Sequence, residues 1–226
     1  MRVTNHRWVI TIDGPAGAGK STTAKLLASR LGYIYLDTGA LYRAVAWQVQ
    51  TTQTDYSHPT DMGVLLDSLQ LHLSFRDGNT VVSVNSQDVT PHLRTPEISR
   101  LASTIAALPS VREWLLPFQQ GFAESGGIVV EGRDMGTRVF PLAEKKFFLE
   151  ADVHTRATRR HKDVIQAGHS IELQEVEKEV VNRDTQDRSR NISPLTPAPD
   201  AIIIDSSTMT IDQVVDTMME SLPAPL

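Results

Sequence analysis

The chain has 226 residues, of which 22 are Lys or Arg and 27 are Asp or Glu, giving a net charge of −5, and it has no cysteine. That length suits one α/β unit with insertions, or a core with small mobile lobes, and excludes a long multidomain protein. The acidic balance offers no global basic field for nucleic acid, and the lack of cysteine excludes disulfides and thiolate metal sites, in keeping with a reducing cytoplasm.

The polar residues 1–7 run directly into an apolar segment, 8–12, that reads as a buried strand and leaves no room for a signal peptide. With no stretch near the roughly 18 apolar residues of a membrane span, a soluble cytoplasmic protein without a membrane partner is expected. The strand is followed by Gly14, Pro15, Ala16, Gly17, Ala18, Gly19, Lys20 and Ser21, which fit the phosphate-binding pattern G-x-x-x-x-G-K-[ST]. Glycines let backbone N–H groups converge on phosphate oxygens, and Lys20 places a mobile positive charge on the β- and γ-phosphates. Ser21 can offer its hydroxyl to Mg²⁺, and a helix from Thr22 onward adds its dipole to the anion site. A Gly-rich turn that binds nothing would not explain strand, motif and helix in this order.

Further apolar runs at 33–36, 128–130, 146–149 and 201–204 predict a parallel sheet covered on both faces, a doubly wound α/β core. Between the second and third runs, the alternations Leu71, Leu73, Phe75 and Val82, Val84 flank Asp77, Gly78 and Asn79, which predicts a β-hairpin in a small inserted lobe. Helices are expected after Pro96 and Pro109. After the fourth run a helix crowded with Arg156, Arg159, Arg160 and Lys162, a break at 166–170 and a second charged helix to Arg190 read as a helical hairpin with little apolar surface. The predicted layout is a core of 1–38, 91–155 and 191–226, an insert of 39–90 and a lid of 156–190.

Triphosphate binding alone fits a switch, a motor or a kinase. The segments beginning at Asp37 (DTGALYR) and Glu131 (EGRDMGT) follow strands at their carboxyl ends, where open α/β sheets bind ligands, and the two glycines of the latter permit close backbone approach. Arg183, Asp187 and Arg190 share one helical face by their spacing. Any one of these arginines could belong to a solvated, ion-paired helix, but the set suits closure over a phosphoryl donor and a phosphorylated acceptor.

Together GPAGAGKST, LDTGALYRA, Val111-Arg112-Glu113, EGRDMGT, RDTQDRSR and IIIDSS resemble the bacterial cytidylate kinases over nearly the whole chain. The resemblance implies a P-loop three-layer core with a five-stranded parallel sheet, a nucleoside-monophosphate-binding insert and a helical lid. It implies reversible phosphoryl transfer from Mg-ATP to CMP or dCMP in a monomer. Residues from Gly14 to Thr22, with Arg159, would hold ATP, and Arg156 and Arg160 would approach it. Arg43, Arg133 and Arg190 would grip the acceptor phosphate, Arg112 and Asp134 near Thr38 would read the base, and Ser103, Arg183 and Asp187 would contact the sugar. Lys20, Arg133, Asp134 and Arg190 would carry catalysis. Thr38 stands where the family often has serine. The rivals are a P-loop kinase acting on UMP, AMP or a non-nucleotide metabolite, and a nucleotide-dependent regulatory module without phosphotransfer.

Overall fold

The computed structural model describes residues 7–76, 79–166, 168 and 170–222. Along the chain come β1 (Val9–Asp13), α1 (Lys20–Leu31), β2 (Ile34–Asp37), α2 (Thr38–Thr52) and α3 (Pro59–Ser68), then β3 (Leu71–Arg76), β4 (Asn79–Val84) and β5 (Gln87–Asp88). After these follow α4 (Pro96–Ile105), α5 (Pro109–Gly121), β6 (Ile128–Glu131), β7 (Lys145–Glu150), α6 (Val153–Gln166), α7 (Leu173–Ser189), β8 (Ile202–Asp205) and α8 (Ile211–Glu220). A π-helical turn, Met135–Val139, lies between β6 and β7.

The main sheet is parallel, with five strands in the order β2-β6-β1-β7-β8. Side chains alternate across it: Ile128 and Val130 enter one hydrophobic cluster, while Val129, Ile10 and Ile12 enter the other with α1 and α8. The expectation of a sheet covered on both faces fails at one edge, where Ile202 is 36% and Ile203 56% exposed on β8. There Ile204 alone of the strand's three isoleucines enters the core, and Ile202 and Ile203 satisfy the strand without being buried.

The second sheet is antiparallel, β3-β4-β5, with Leu71 opposite Val84 and Leu73 opposite Val82, as the alternation predicts. Of the predicted turn, Asp77 and Gly78 lie outside the described residues. A second turn, at Asn85 and Ser86, joins β4 to β5 with both residues at positive φ, as a two-residue hairpin loop needs. The sheet shares its apolar face with the core: Leu73, Val82 and Val84 belong to the same cluster as Leu36, Leu41, Ile105, Val111 and Val130. The hairpin α6–α7 has a separate small cluster of Ala157, Val176 and Val180. Its break falls where predicted, around Gly168, although Ala167 and His169 lie outside the described residues.

Register sets up the site. Glu131 pairs with Ile12 on one side and Asp37 on the other, so the ends of β1, β2 and β6 come level at one rim of the sheet. The segments that follow these ends are 14–19, α2 and 132–139.

Candidate active site

A single cleft of about 860 Å³ runs along this rim, lined by the loop after β1, α2, α4, α5, the turn after β6 and both helices of the hairpin. On its first wall, Ala16, Gly17, Gly19, Lys20, Ser21 and Thr22 face the cleft. Gly14, Pro15 and Ala18 shape the loop from behind: Pro15 and Ala18 supply carbonyls to Lys20 and Ser206, and a Cβ on Gly14 would fall 2.0 Å from the Leu149 carbonyl oxygen. Gly17, at φ +77°, would strike the Arg156 carbonyl oxygen at 2.7 Å if it carried a side chain. The amino end of α1 has no side-chain cap, so its backbone donors are available to an anion.

Lys20 is 5% exposed, and its Nζ donates to the Pro15 carbonyl at 2.7 Å. Burial first and then the Arg133 charge pull its pKa down to about 7, against the opposing pull of Glu131 and Asp13. Sequence reasoning did not single out the carboxylates beside it. Glu131 is buried, accepts a hydrogen bond from Tyr35 Oη at 2.5 Å and lies against Ser21. Its pKa is raised, by burial and then by the Asp37 charge. Both begin the segments quoted above, at the carboxyl ends of their strands, and that position was the available signal. Asp13, the last residue of β1, is also buried and bonds the N–H groups of Met135 and Gly136.

The opposite wall carries the predicted arginines, nearly all already paired. Arg43, one turn into α2, donates to Asp37 at 2.7 Å, while Asp37 also caps that helix through Ala40 N–H. Arg112 on α5 forms a buried ion pair with Asp134, donates to the Ala106 carbonyl at 2.9 Å and lies over the Tyr42 ring at 5.7 Å. Burial disfavours the Arg112 charge, but Asp134 and Tyr42 outweigh it and its pKa is raised. Asp187 on α7 accepts from Arg133 at 2.9 Å and Arg190 at 2.8 Å, one on each oxygen. Burial works against the Asp187 charge, yet Arg133, Arg190 and Arg183 hold its pKa below the usual carboxylate value. Arg190 lies one residue beyond α7, in extended backbone, and still reaches the same carboxylate.

Arg183 is different. Burial and then Arg133 push its pKa down to about 9, only partly countered by Asp187, and its Nε has no hydrogen-bond partner among the described residues. Ser103 Oγ and Arg43 Nε are likewise buried without partners, and all three residues line the cleft. Thr38 Oγ1 donates to the Glu131 carbonyl at 2.6 Å.

Several expectations change. Gly132, which lines the cleft, and Gly136 also make room for protein: a Cβ on Gly132 would meet the Met135 side chain at 2.7 Å, and one on Gly136 would meet Lys146 Cδ and Thr11 Oγ1 at 3.1 Å. Arg156 does not face the cleft, because it is 4% exposed and engaged by the Ala151 and Ala16 carbonyls and by Asp184 at 2.7 Å. Arg159 and Arg160 do line it, with Arg159 bonded to Ser206 through its hydroxyl at 3.0 Å and its carbonyl at 2.7 Å.

The sequence model described as "Cytidylate kinase" matches residues 10–224. The chain is 46% identical over 210 residues to the cytidylate kinase of Ligilactobacillus salivarius, covering 93% of this chain and 94% of that one. It is 45% identical to the bifunctional pantoate ligase/cytidylate kinase of Synechococcus, covering 93% of this chain and 43% of that longer protein. A crystal structure of an uncharacterized protein from Eubacterium ventriosum shares the fold, with a TM-score of 0.50, 13% identity and coverage of 95% of this chain and 97% of that one. The chain belongs to the cytidylate kinase family.

Proposed function

We propose that the chain transfers the γ-phosphoryl group of ATP to CMP or dCMP, giving ADP and CDP or dCDP, with both nucleotides bound in the one cleft. The observation that carries this reading is the buried Arg112–Asp134 pair across the cleft from Lys20. Cytosine presents an amino donor beside a ring acceptor, so a carboxylate next to a guanidinium complements that edge, whereas uracil reverses it.

In this reading ATP lies on the loop from Gly14 to Thr22, with its phosphates on the uncapped end of α1 and on Lys20, and with Arg159 and Arg160 approaching from the lid. The acceptor phosphate meets Arg43, Arg133 and Arg190, and the sugar falls near Ser103, Arg183 and Asp187. The unpartnered atoms of Arg43, Ser103 and Arg183 support this, because a buried donor without a partner is costly until a ligand supplies one. An acceptor phosphate oxygen forms the new bond to the γ-phosphorus as the bond to the bridging oxygen of ADP breaks, and no covalent enzyme intermediate is needed. Lys20 and the arginines act by position and charge, and Asp134 orients the acceptor.

Mg²⁺ fits the residues at the end of β6. Glu131 and Asp37 place two carboxylates near Lys20, and the Glu131 pKa is raised first by burial and then by the Asp37 charge, a repulsion that a divalent ion would relieve. Ser21, with Glu131 reaching through water, would hold the ion, which supplies charge neutralisation across the β- and γ-phosphates when bound. In this reading the enzyme works as a monomer, and the reaction belongs to pyrimidine nucleotide metabolism.

The test is ADP release with Mg-ATP against CMP, dCMP, UMP, AMP and GMP, with a no-acceptor control. Turnover dominated by CMP and dCMP is expected, and activity led by another nucleotide would overturn the acceptor assignment.

A further inference from the structure

The turn Met135–Val139 poses a capping problem. Its first N–H groups have no partner within the turn, and the residue in the capping position, Asp134, makes no side-chain cap because its carboxylate is committed to Arg112. The missing cap comes from another strand. Asp13 Oδ1 accepts from Met135 N–H at 2.9 Å and Oδ2 from Gly136 N–H at 2.7 Å. Asp13 stands immediately before Gly14 and is 4% exposed, with Lys20 as a cation acting on its charge. Burial disfavours this carboxylate charge even with two N–H bonds and Lys20 nearby, which points to a use elsewhere.

Resting on the assignment of Arg133 and Asp134 to the acceptor, we infer that Asp13 is a positioning residue. As a carboxylate it caps the turn in place of Asp134, freeing Asp134 for the base and holding the Arg133–Asp134 segment in register with the phosphate-binding loop. Each carboxylate oxygen serves one N–H, so protonation replaces one acceptor with a hydroxyl facing a donor and loosens the register. Burial raises the Asp13 pKa to about 6, with the two N–H bonds opposing, Asp134 adding and Lys20 opposing. Lys146 of β7 also packs near Gly136, but its ammonium is held by the Pro141 carbonyl and Asp200. Positioning is therefore lost as the pH falls through about 6.

Two measurements test this. In the unliganded protein, the amide proton shifts of Met135 and Gly136 are expected to titrate together with a midpoint near 6, and amides that stay fixed from about pH 5 to 8 would overturn the proposal whatever the substrate is. In Asp13→Asn, kcat with CMP is expected to fall by about 10- to 100-fold, the KM for ATP to stay within about threefold, and the acidic limb of the kcat profile to disappear. A variant with kcat within about twofold of the parent, or one keeping the same acidic limb, would also overturn it. If Asp13→Asn does not fold, the amide titration of the unaltered protein decides alone. The acceptor panel in the unaltered protein tests the catalytic assignment separately, so failure of one is not failure of the other.

Discussion

The two walls of the cleft are built by different means. The wall around Lys20 is a short contiguous loop whose backbone faces the ligand, with one cation that burial discharges toward neutrality. The opposite wall gathers side chains from α2, α4, α5, the turn after β6 and α7, and there Arg43, Arg112, Arg133 and Arg190 each meet a carboxylate before any substrate arrives. The first wall waits for its ligand to supply charge. The second is pre-organised by internal pairing, with Arg183 as the cation left short of compensation.

If that contrast is right, substitutions on the two walls separate in their kinetics. The largest effect is expected for Lys20→Met, which removes the mobile charge of the first wall: kcat should fall by about a thousandfold in a protein that still folds. Retained turnover in a steady-state assay would sink the role given to Lys20. Next comes Asp134→Asn, which keeps the shape of the second wall but weakens the Arg112 pair and the acceptor for the cytosine amino group. We expect kcat/KM for CMP to drop by about a hundredfold, near 3 kcal/mol, with a much smaller change in the KM for ATP. Equal losses for both substrates would erase the distinction between the walls.

A smaller effect sharpens the charge argument. The Lys20 pKa is lowered to about 7 in the free protein, so the ammonium is lost as pH rises through that value. ATP phosphates restore the charge, so binding takes up a proton above that pH, and the KM for ATP should rise toward about tenfold per pH unit on the alkaline side. The KM for CMP should change less there, because Arg43, Arg133 and Arg190, which meet its phosphate, are each paired with a carboxylate. A flat KM for ATP between about pH 7 and 9 would show that Lys20 keeps its proton without ligand.

The same contrast explains what could be read from the sequence. A wall made of backbone must spell out its glycines in a row, so the loop was visible at once, as were strands that need apolar runs. The arginine wall is scattered from Arg43 to Arg190 and was legible only in pieces, where segments began at strand ends, where spacing put Arg183, Asp187 and Arg190 on one helical face, or through the family resemblance. Pairing between distant segments was hidden. Nothing local tells that Asp187 serves both Arg133 and Arg190, that Arg156 turns inward to the Ala16 carbonyl, or that Asp13 caps a turn more than a hundred residues away. Asn85-Ser86 is a weak turn signal beside Asp77-Gly78, because neither residue is glycine. Nor does the sequence tell that Gly132 and Gly136 also spare the Met135, Lys146 and Thr11 side chains.

The smallest expected effect concerns Thr38, which begins α2 where the two walls meet. Its hydroxyl donates to the Glu131 carbonyl at 2.6 Å, and the residue is 2% exposed. Thr38→Ser keeps that bond and removes one buried methyl, at a cost of about 1 kcal/mol, or about 2–4 °C in Tm for a chain of this size. Its kcat/KM for CMP should stay within about twofold of the parent, since the donor is unchanged. Thr38→Val keeps the volume and removes the donor, leaving the Glu131 carbonyl unpaired at about 1–3 kcal/mol. That loss falls on the end of β6, where Glu131 leads directly into Gly132 and Arg133, so it should reach the acceptor side: kcat/KM for CMP should drop by about 5- to 30-fold, with the KM for ATP less affected. If serine is the worse variant, packing of the methyl governs this position. If valine is worse, the hydroxyl anchors the acceptor turn to the sheet.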